Sequence, residues 1–570
     1  MAHRVASLFL VFVLAKVVAL ATHPPPLSPW LAVAYLWQDA VVALLYGALD
    51  WAFPRRASWA LYGMIAAYTA INAAVVRVLA TPLTLPMLRA ARGELGDSIR
   101  LYVTPANVGV ILLILAGAAL LPPLMARIDS RRVSVAVVSL VALAALGAVS
   151  RSRVDTLGLD RNALLALVES RRTPVAAASA AGRWRVSPLA AVPAGPDLRP
   201  WRGVAAGRNV VVVSLESAAA RYLALFGGSR PDLMPNLSAL AASGVVFDNA
   251  YAVYPESIKG LFSALCSQFP AIDSVPEAYA QAPCRSFAEV LAGAGYRTAL
   301  FHSGHFEYLG MQAIVRGRGF QTLADACDIS GNRRSSFGVE ESATVSRALE
   351  WIDRQEGAPF LLVYLPIAGH HPYDTPAPGP FPEADEFGRY RNALLYADES
   401  LGALREGLVR RGLDRSTLWI VYGDHGEAFG QHAGNYGHTF HLYEENVHVP
   451  LVIAAPGLWS ATLRSPVVVS LLDLAPTILD LLSVPAPAEY AGRSALELEP
   501  QMALFFTDYS LRQAGLRDGR WKFILDLTSG RGKLFDLERD SHEHTNVAEQ
   551  HRERSQIYAR RLQSWIGGGR

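Results

Sequence analysis

Five long apolar stretches crowd the first 150 residues, and no other feature constrains the fold as much. They cover about residues 5–22, 27–53, 57–80, 103–126 and 133–150. Each approaches or exceeds the roughly 18 to 20 apolar residues that carry an α-helix through a bilayer. A cleavable signal peptide is the rival reading of the first. However, the second follows after a short HPPPLSP turn, and no small-residue cleavage site stands out. Residues 1–150 therefore read as a five-helix transmembrane region.

Arginines set the expected orientation. Arg4 precedes the first stretch, Arg55 and Arg56 lie between the second and third, and Arg127, Arg131 and Arg132 lie between the fourth and fifth. Short basic loops stay in the cytoplasm, and an odd number of spans carries everything after residue 150 to the other side. The longer loop over 81–102 weakens this bias with Arg89, Arg92 and Arg100, although Glu94 and Asp97 accompany them. The expectation is a multi-pass protein of a bacterial-type cytoplasmic membrane with its larger domain outside. Within the stretches, Lys16 and Arg77 read as snorkelling to the interface, and Asp39 as a candidate substrate-path residue.

Residues 151–207 are rich in Ala, Pro and Arg and read as a juxtamembrane linker. Over 208–570, short apolar runs such as NVVVVSL, FLLVYLPI and TLWIVYG alternate with helical ones such as PNLSALAASG and RNALLYADESLGALREGLVRRG. That rhythm predicts an α/β domain with a mainly parallel sheet between helices. The whole chain balances 52 Lys and Arg against 50 Asp and Glu, which excludes a general nucleic-acid binder.

Ligands of such sheets bind beyond the carboxyl ends of the strands. Four ends carry ligand-type side chains: Glu216 and Ser217 after NVVVVSL, His302 and Ser303 after TALF, His370 and His371 after LLVYLPIAG, and Asp424 and His425 after TLWIVYG. A lone acid or histidine there is more often a cap or a solvated loop residue. Four such ends shift the balance toward a metal site. Two carboxylates with one imidazole suit Zn or Mn and leave a coordination position for a reacting group.

Read in order, NVVVVSLES, NAYAVYPESIKGLFSALCS, GYRTALFHSG with RGRGF, AGHHPY, VYGDHGEAFGQH, YEENVHVPLVI, SLLDLAPTILDLL and WKFI with KLFDLERDSHEHTN resemble the landmarks of the sulfatase-like branch of the alkaline-phosphatase superfamily. Five spans before such a domain resemble the lipoteichoic acid synthase group and the membrane-bound phosphoethanolamine transferases. The resemblance implies a central sheet between helices, a smaller C-terminal sheet and one divalent ion. The ion would be Zn or Mn, with Mg and Ca as alternatives, held by Glu216, Asp424, His425 and Ser257. It implies Ser257 as nucleophile, His370 and His438 as contacts to the transferred group or leaving oxygen, and Lys259, His302 and Tyr308 on the substrate side. A phospholipid donor and a cell-envelope acceptor follow from it, with a sulfuric- or phosphoric-ester hydrolase as the alternative.

The chain departs from the family pattern in two places. Where a sulfatase carries Cys-x-Pro-Ser-Arg, this chain has Ser257, Ile258, Lys259, Gly260 and Leu261, so the formylglycine maturation motif is absent. The arginine that glycerophosphate-handling relatives carry near HSGHFEYLGMQ has no clear counterpart, which leaves the headgroup open. Ser257 follows Pro255 and Glu256 at the start of an apolar helical run and reads both as an N-cap and as a nucleophile at a helix N-terminus. His371, His432 and His441 read equally as supporting or solvated residues.

The three cysteines, Cys266, Cys284 and Cys327, all lie in the domain expected outside, where disulfides persist. Cys266 closes the helix that begins at Ser257, and Cys284 opens the next helical run. The expectation is a Cys266–Cys284 bond with Cys327 buried and free.

Overall fold

The computed structural model describes the chain apart from residues 23–27, 85–86, 89–95, 152, 155, 157, 170–183, 190–194, 229–230, 273, 275, 333–336, 356, 498, 500 and 568–570. Arg89, Arg92 and Glu94 of the 81–102 loop, the start of the first turn and much of the linker thus lie outside the described residues.

Helices Ala2–Thr22, Leu31–Ala52, Arg55–Leu79, Pro105–Met125 and Ser130–Arg151 are long and apolar enough to cross a membrane. Their inner faces bring Leu8, Val11 and Phe12 together with Ala43, Tyr46, Ala66, Ala70 and Ala73. The alanines let backbones approach closely, which matters where lipid gives no hydrophobic drive between helices. Leu112, Val135 and Val138 face outward at 60% exposure or more, as a lipid-facing surface requires.

Lys16 departs from the snorkelling expectation. It is buried, donates to the carbonyls of Leu159 at 2.9 Å and Arg161 at 3.2 Å, and stands 3.6 Å from Asp39 Oδ2. Asp39 also accepts from Asn162 at 2.7 Å. A buried charge is tolerable when a counter-ion and carbonyls surround it; here the counter-ion comes from the next helix and the carbonyls from a segment more than a hundred residues away. Arg77 donates to Asn107 Oδ1 at 3.2 Å.

The α/β domain is built on a nine-stranded sheet. In chain order the strands are β1 (Asn209–Leu215), β2 (Gly244–Tyr251), β3 (Arg297–His302), β4 (Thr322–Ala324), β5 (Phe360–Leu365) and β6 (Thr417–Gly423). A separate two-stranded hairpin, β7 (Ala428–Phe429) and β8 (Tyr436–Gly437), precedes β9 (His448–Val449), β10 (Leu451–Ala454) and β11 (Leu463–Ser470). The order across the large sheet is β11-β2-β10-β6-β1-β5-β3-β4, with β9 on β2. β1, β5 and β6 are buried along their whole length, as parallel strands covered on both faces must be. β1 pairs in parallel with β5 and β6, and Leu215 stands opposite Gly423. The residues that follow those two, Glu216 and Asp424, therefore leave the sheet side by side. A smaller antiparallel sheet, β12 (Ala503–Thr507), β13 (Gln513–Asp518), β14 (Trp521–Asp526) and β15 (Gly532–Asp536), completes the domain.

Cys266 and Cys284 are bonded. Cys327 is free but exposed, against the expectation that it is buried. It sits in the turn after β4, where its N–H donates to Asp325 Oδ1 at 2.8 Å and its sulfur lies outside the core.

Among the described residues, contacts on two sides tie the apolar region to this domain. Thr81 meets the Ser510 hydroxyl, Thr84 donates to Tyr509 O at 3.2 Å, and Arg161 donates to Ser510 O at 2.8 Å. On the other side, Tyr102 lies against His371 and Glu386.

Candidate active site

Glu216 after β1 and Asp424 with His425 after β6 converge on Ser257, the first residue of the helix Ser257–Cys266. The Ser257 hydroxyl donates to Glu216 Oε2 at 2.8 Å and lies 3.1 Å from His425 Nε2. His425 Nε2 stands 3.6 Å from Glu216 Oε1 and 3.5 Å from Asp424 Oδ2. Ser217 holds the acids in place: its N–H donates to Asp424 Oδ1 and its hydroxyl to Glu216 Oε1, both at 3.0 Å. To do so it adopts a left-handed φ of 57°, a strain of about 1 kcal/mol or more that the surrounding contacts must hold. Gly369 approaches so closely that a Cβ there would collide with the Glu216 carbonyl oxygen.

The structure separates the two sequence readings of Ser257. Glu256, not Ser257, caps the helix, accepting from the N–H groups of Ile258 and Lys259 at 3.2 Å each. With the cap supplied next door, the serine hydroxyl is left for Glu216 and His425 while it stays at the positive end of the helix.

The electrostatics call for a cation. Burial and the facing Glu216 push the Asp424 carboxyl up. Burial opposes ionisation of Glu216 as well, but the His425, His370 and His438 imidazoles hold its carboxyl below the ordinary range. Two buried carboxylates this close are both stable as anions only with positive charge between them. His425 Nδ1 lies 3.0 Å from Gly426 O, and a carbonyl only accepts, so Nδ1 carries the hydrogen and Nε2 presents its lone pair to the site. The donor set fits a divalent ion.

The remaining expected residues surround this centre unevenly. His438 stacks on His425 at 4.1 Å and its Nδ1 lies 2.8 Å from Glu427 Oε2. Burial and His425 hold the His438 imidazole well below its usual value, and burial pushes Glu427 up to about 7. Tyr308 and Phe337 stand around the His370 ring, 5.8 and 4.5 Å away. His302 ends β3, is buried, and has Nδ1 3.0 Å from Leu365 O. Lys259 turns to Asp508, 3.1 Å away, and lies over the Tyr254 ring. The sequence reading missed Glu427, a buried acid two residues past His425 that the motif itself displays.

Residues 208–484 match the sulfatase family model, and residues 431–564 match that of the C-terminal part of N-sulphoglucosamine sulphohydrolase. Arylsulfatase K of Rattus norvegicus is 26% identical over 450 residues, covering 63% of this chain and 78% of that protein. Among solved structures, the lipoteichoic acid synthase LtaP from Listeria monocytogenes superposes with a TM-score of 0.54 at 18% identity, covering 66% of this chain and 95% of that one. A protein in the alkaline phosphatase superfamily from Vibrio parahaemolyticus gives 0.52 at 21% identity, covering 66% and 93%. These two structures share the fold of the α/β domain.

Proposed function

We propose, for a chain that belongs to the sulfatase-like branch of the alkaline-phosphatase superfamily, that it transfers a phospholipid-derived headgroup of the phosphoglycerol or phosphoethanolamine type to a cell-envelope acceptor. The observation that carries this reading is the Ser257 hydroxyl, 2.8 Å from Glu216 and 3.1 Å from His425, in a sequence context without the Pro-Ser-Arg of formylglycine maturation. A serine held this way suits direct formation of a phosphoester.

Glu216, Asp424, His425 and Ser257 would hold the divalent ion, with Zn or Mn best matched to carboxylate and imidazole donors. Bound there, it supplies positive charge that favours the serine alkoxide and offsets charge on the phosphoryl oxygens. The chain's own residues do the rest. The Ser257 proton leaves along its hydrogen bond to Glu216 as the Oγ–P bond forms and the P–O bond to the lipid alcohol breaks. The leaving oxygen takes a proton from His370, or from His438 as Glu427, 2.8 Å from its Nδ1 and pushed up to about 7 by burial, replaces that proton. An acceptor hydroxyl then attacks phosphorus and yields its proton to the same histidine as the Oγ–P bond breaks, and Ser257 Oγ takes its own proton back from Glu216.

Five apolar helices joined to the site's own loop through Tyr102 favour a lipid donor, because they keep the pocket beside headgroups at high effective concentration. The arginine pattern and the Cys266–Cys284 bond favour a domain outside the cytoplasm. Hydrolysis of a sulfuric or phosphoric ester is the second reading, favoured by the arylsulfatase K relatives. Mass spectrometry of the protein after incubation with a phospholipid donor is expected to find a phosphoester on the peptide containing Ser257. Formylglycine at that position, or full turnover by Ser257→Ala, would overturn the transferase.

A further inference from the structure

A second set of ligand-type side chains stands at the carboxyl ends of β3 and β4, and the proposed reaction uses none of it. His305 lies three residues past the end of β3, while Asp325 and Cys327 follow β4 directly. The strands are parallel neighbours with Phe301 opposite Ala324, so their end loops emerge together. One donor atom from each of the three residues falls within 4.8 Å of the other two.

The arrangement is built by the backbone. Asp325 is buried, and its carboxylate accepts from Phe306 N at 2.7 Å and Cys327 N at 2.8 Å, the amides beside and within the other two donor residues. Each oxygen uses one lone pair in this way and keeps another. Cys327 Sγ and His305 Nδ1 are 3.4 Å apart. A tetrahedral zinc with its usual bonds to sulfur and nitrogen spans about 3.5 Å between those two atoms. An S–H···N hydrogen bond has a similar length; the fixed carboxylate beside the pair is what a hydrogen bond does not need. Glu307 and Asp328 add negative charge felt at Cys327.

We propose that His305, Asp325 and Cys327 form a zinc site separate from the Glu216, Asp424 and His425 centre. A thiolate with an imidazole and one carboxylate selects a softer ion than two carboxylates and an imidazole do, and three protein ligands leave a fourth position for water. Binding exchanges the thiol hydrogen for the metal: a Zn–S bond forms and one proton goes to solvent. It also gives the lone thiol of the domain a partner, since Cys266 and Cys284 are already joined. The site would pin the Gly304–Tyr308 turn, and with it the Tyr308 ring that stands beside His370.

The test uses the full-length protein in detergent, freed of metal with chelator and then loaded with Co(II). Because Cys327 is the single free thiol, a thiolate-to-cobalt charge-transfer absorption reports this site alone. The absorption is expected in wild type and in Asp424→Asn and absent in Cys327→Ser, which should also hold one fewer zinc per chain. Wild type gives a second readout that needs no variant. Zinc should slow the reaction of the Cys327 thiol with a thiol reagent at least tenfold, and chelator should restore it. No charge-transfer band in cobalt-loaded wild type, or equal thiol reactivity with zinc and with chelator, would overturn the proposal.

Discussion

Tyr102, the last residue of the short helix Gly96–Tyr102, stacks on His371 with ring centroids 5.5 Å apart and planes 14° from parallel. Its hydroxyl donates to Glu386 Oε1 at 3.0 Å. His371 is the direct neighbour of His370, so a residue from the apolar N-terminal region holds the loop that lines the candidate site. Stacking plus one hydrogen bond is worth about 1–2 kcal/mol, roughly a factor of ten. Tyr102→Ala is therefore expected to lower kcat/KM about tenfold for a bilayer-embedded donor and to change turnover of a small soluble phosphodiester less than twofold. Equal losses on both substrates would mean that Tyr102 supports the loop and not the delivery of lipid.

The ligand set and the nucleophile separate cleanly by mutation. On the proposed reading Asp424 would bind the cation directly, whereas the Ser257 hydroxyl would be one donor among four and the reacting one. Ser257→Ala is expected to abolish headgroup transfer, by a factor of a thousand or more, while the metal stays bound. Asp424→Asn should lose the metal as well as the activity. Elemental analysis of both variants checks this, and equal metal content in Asp424→Asn and wild type would remove Asp424 from the ligand set. Ser257→Cys should not become an efficient sulfatase, because the Pro-Ser-Arg context is missing.

What the sequence disclosed follows the range of the forces involved. β1 and β6 were legible because unbroken apolar runs ending in Glu216 and Asp424 are local patterns, and a mainly parallel sheet is what the α/β rhythm implies; that the two strands are neighbours, and in which register, shows only in the fold. The Glu256 cap was missed because serine is the stronger capping residue, and only the fold shows that the Ser257 hydroxyl is engaged elsewhere. Lys16 with Asp39 and Asn162, and Lys259 with Asp508, are pairings across long separations that no local periodicity encodes. Cys327 was misplaced because a small thiol is usually buried, and here a three-residue strand ends just before it and turns it outward.

The Cys266–Cys284 bond closes a loop of sequence separation 18 at the end of the helix Ser257–Cys266. A loop of that size stabilises by about 3 kcal/mol through the unfolded chain. Cys284→Ala should therefore lower the midpoint of thermal unfolding by several degrees and leave the metal content unchanged. Disulfides form and persist mainly in oxidising compartments. A reporter active only in the cytoplasm, fused after Arg570, is expected to be silent, and a bright signal would reverse the orientation.

Lys259 decides between a structural charge and a substrate charge. Its ammonium is buried 3.1 Å from Asp508 Oδ1, which also accepts from the Tyr254 hydroxyl at 2.7 Å. Burial alone would drive the Lys259 ammonium down, but Asp508, Tyr279 and Glu256 outweigh it and hold the proton above the ordinary lysine value. A raised lysine pKa contributes stability that is fully present below the unfolded value of about 10.4 and is lost as pH climbs through the higher folded value. Wild type should therefore lose stability above pH of about 10 in a component that Lys259→Met lacks. At neutral pH, Lys259→Met leaves Asp508 buried without its counter-ion and should cost about 3–5 kcal/mol, whereas Lys259→Met combined with Asp508→Asn should recover a large part of that. Denaturant titrations of the three proteins measure both effects. If Lys259→Met instead kept full stability and raised KM tenfold, the ammonium would belong to the substrate and not to Asp508.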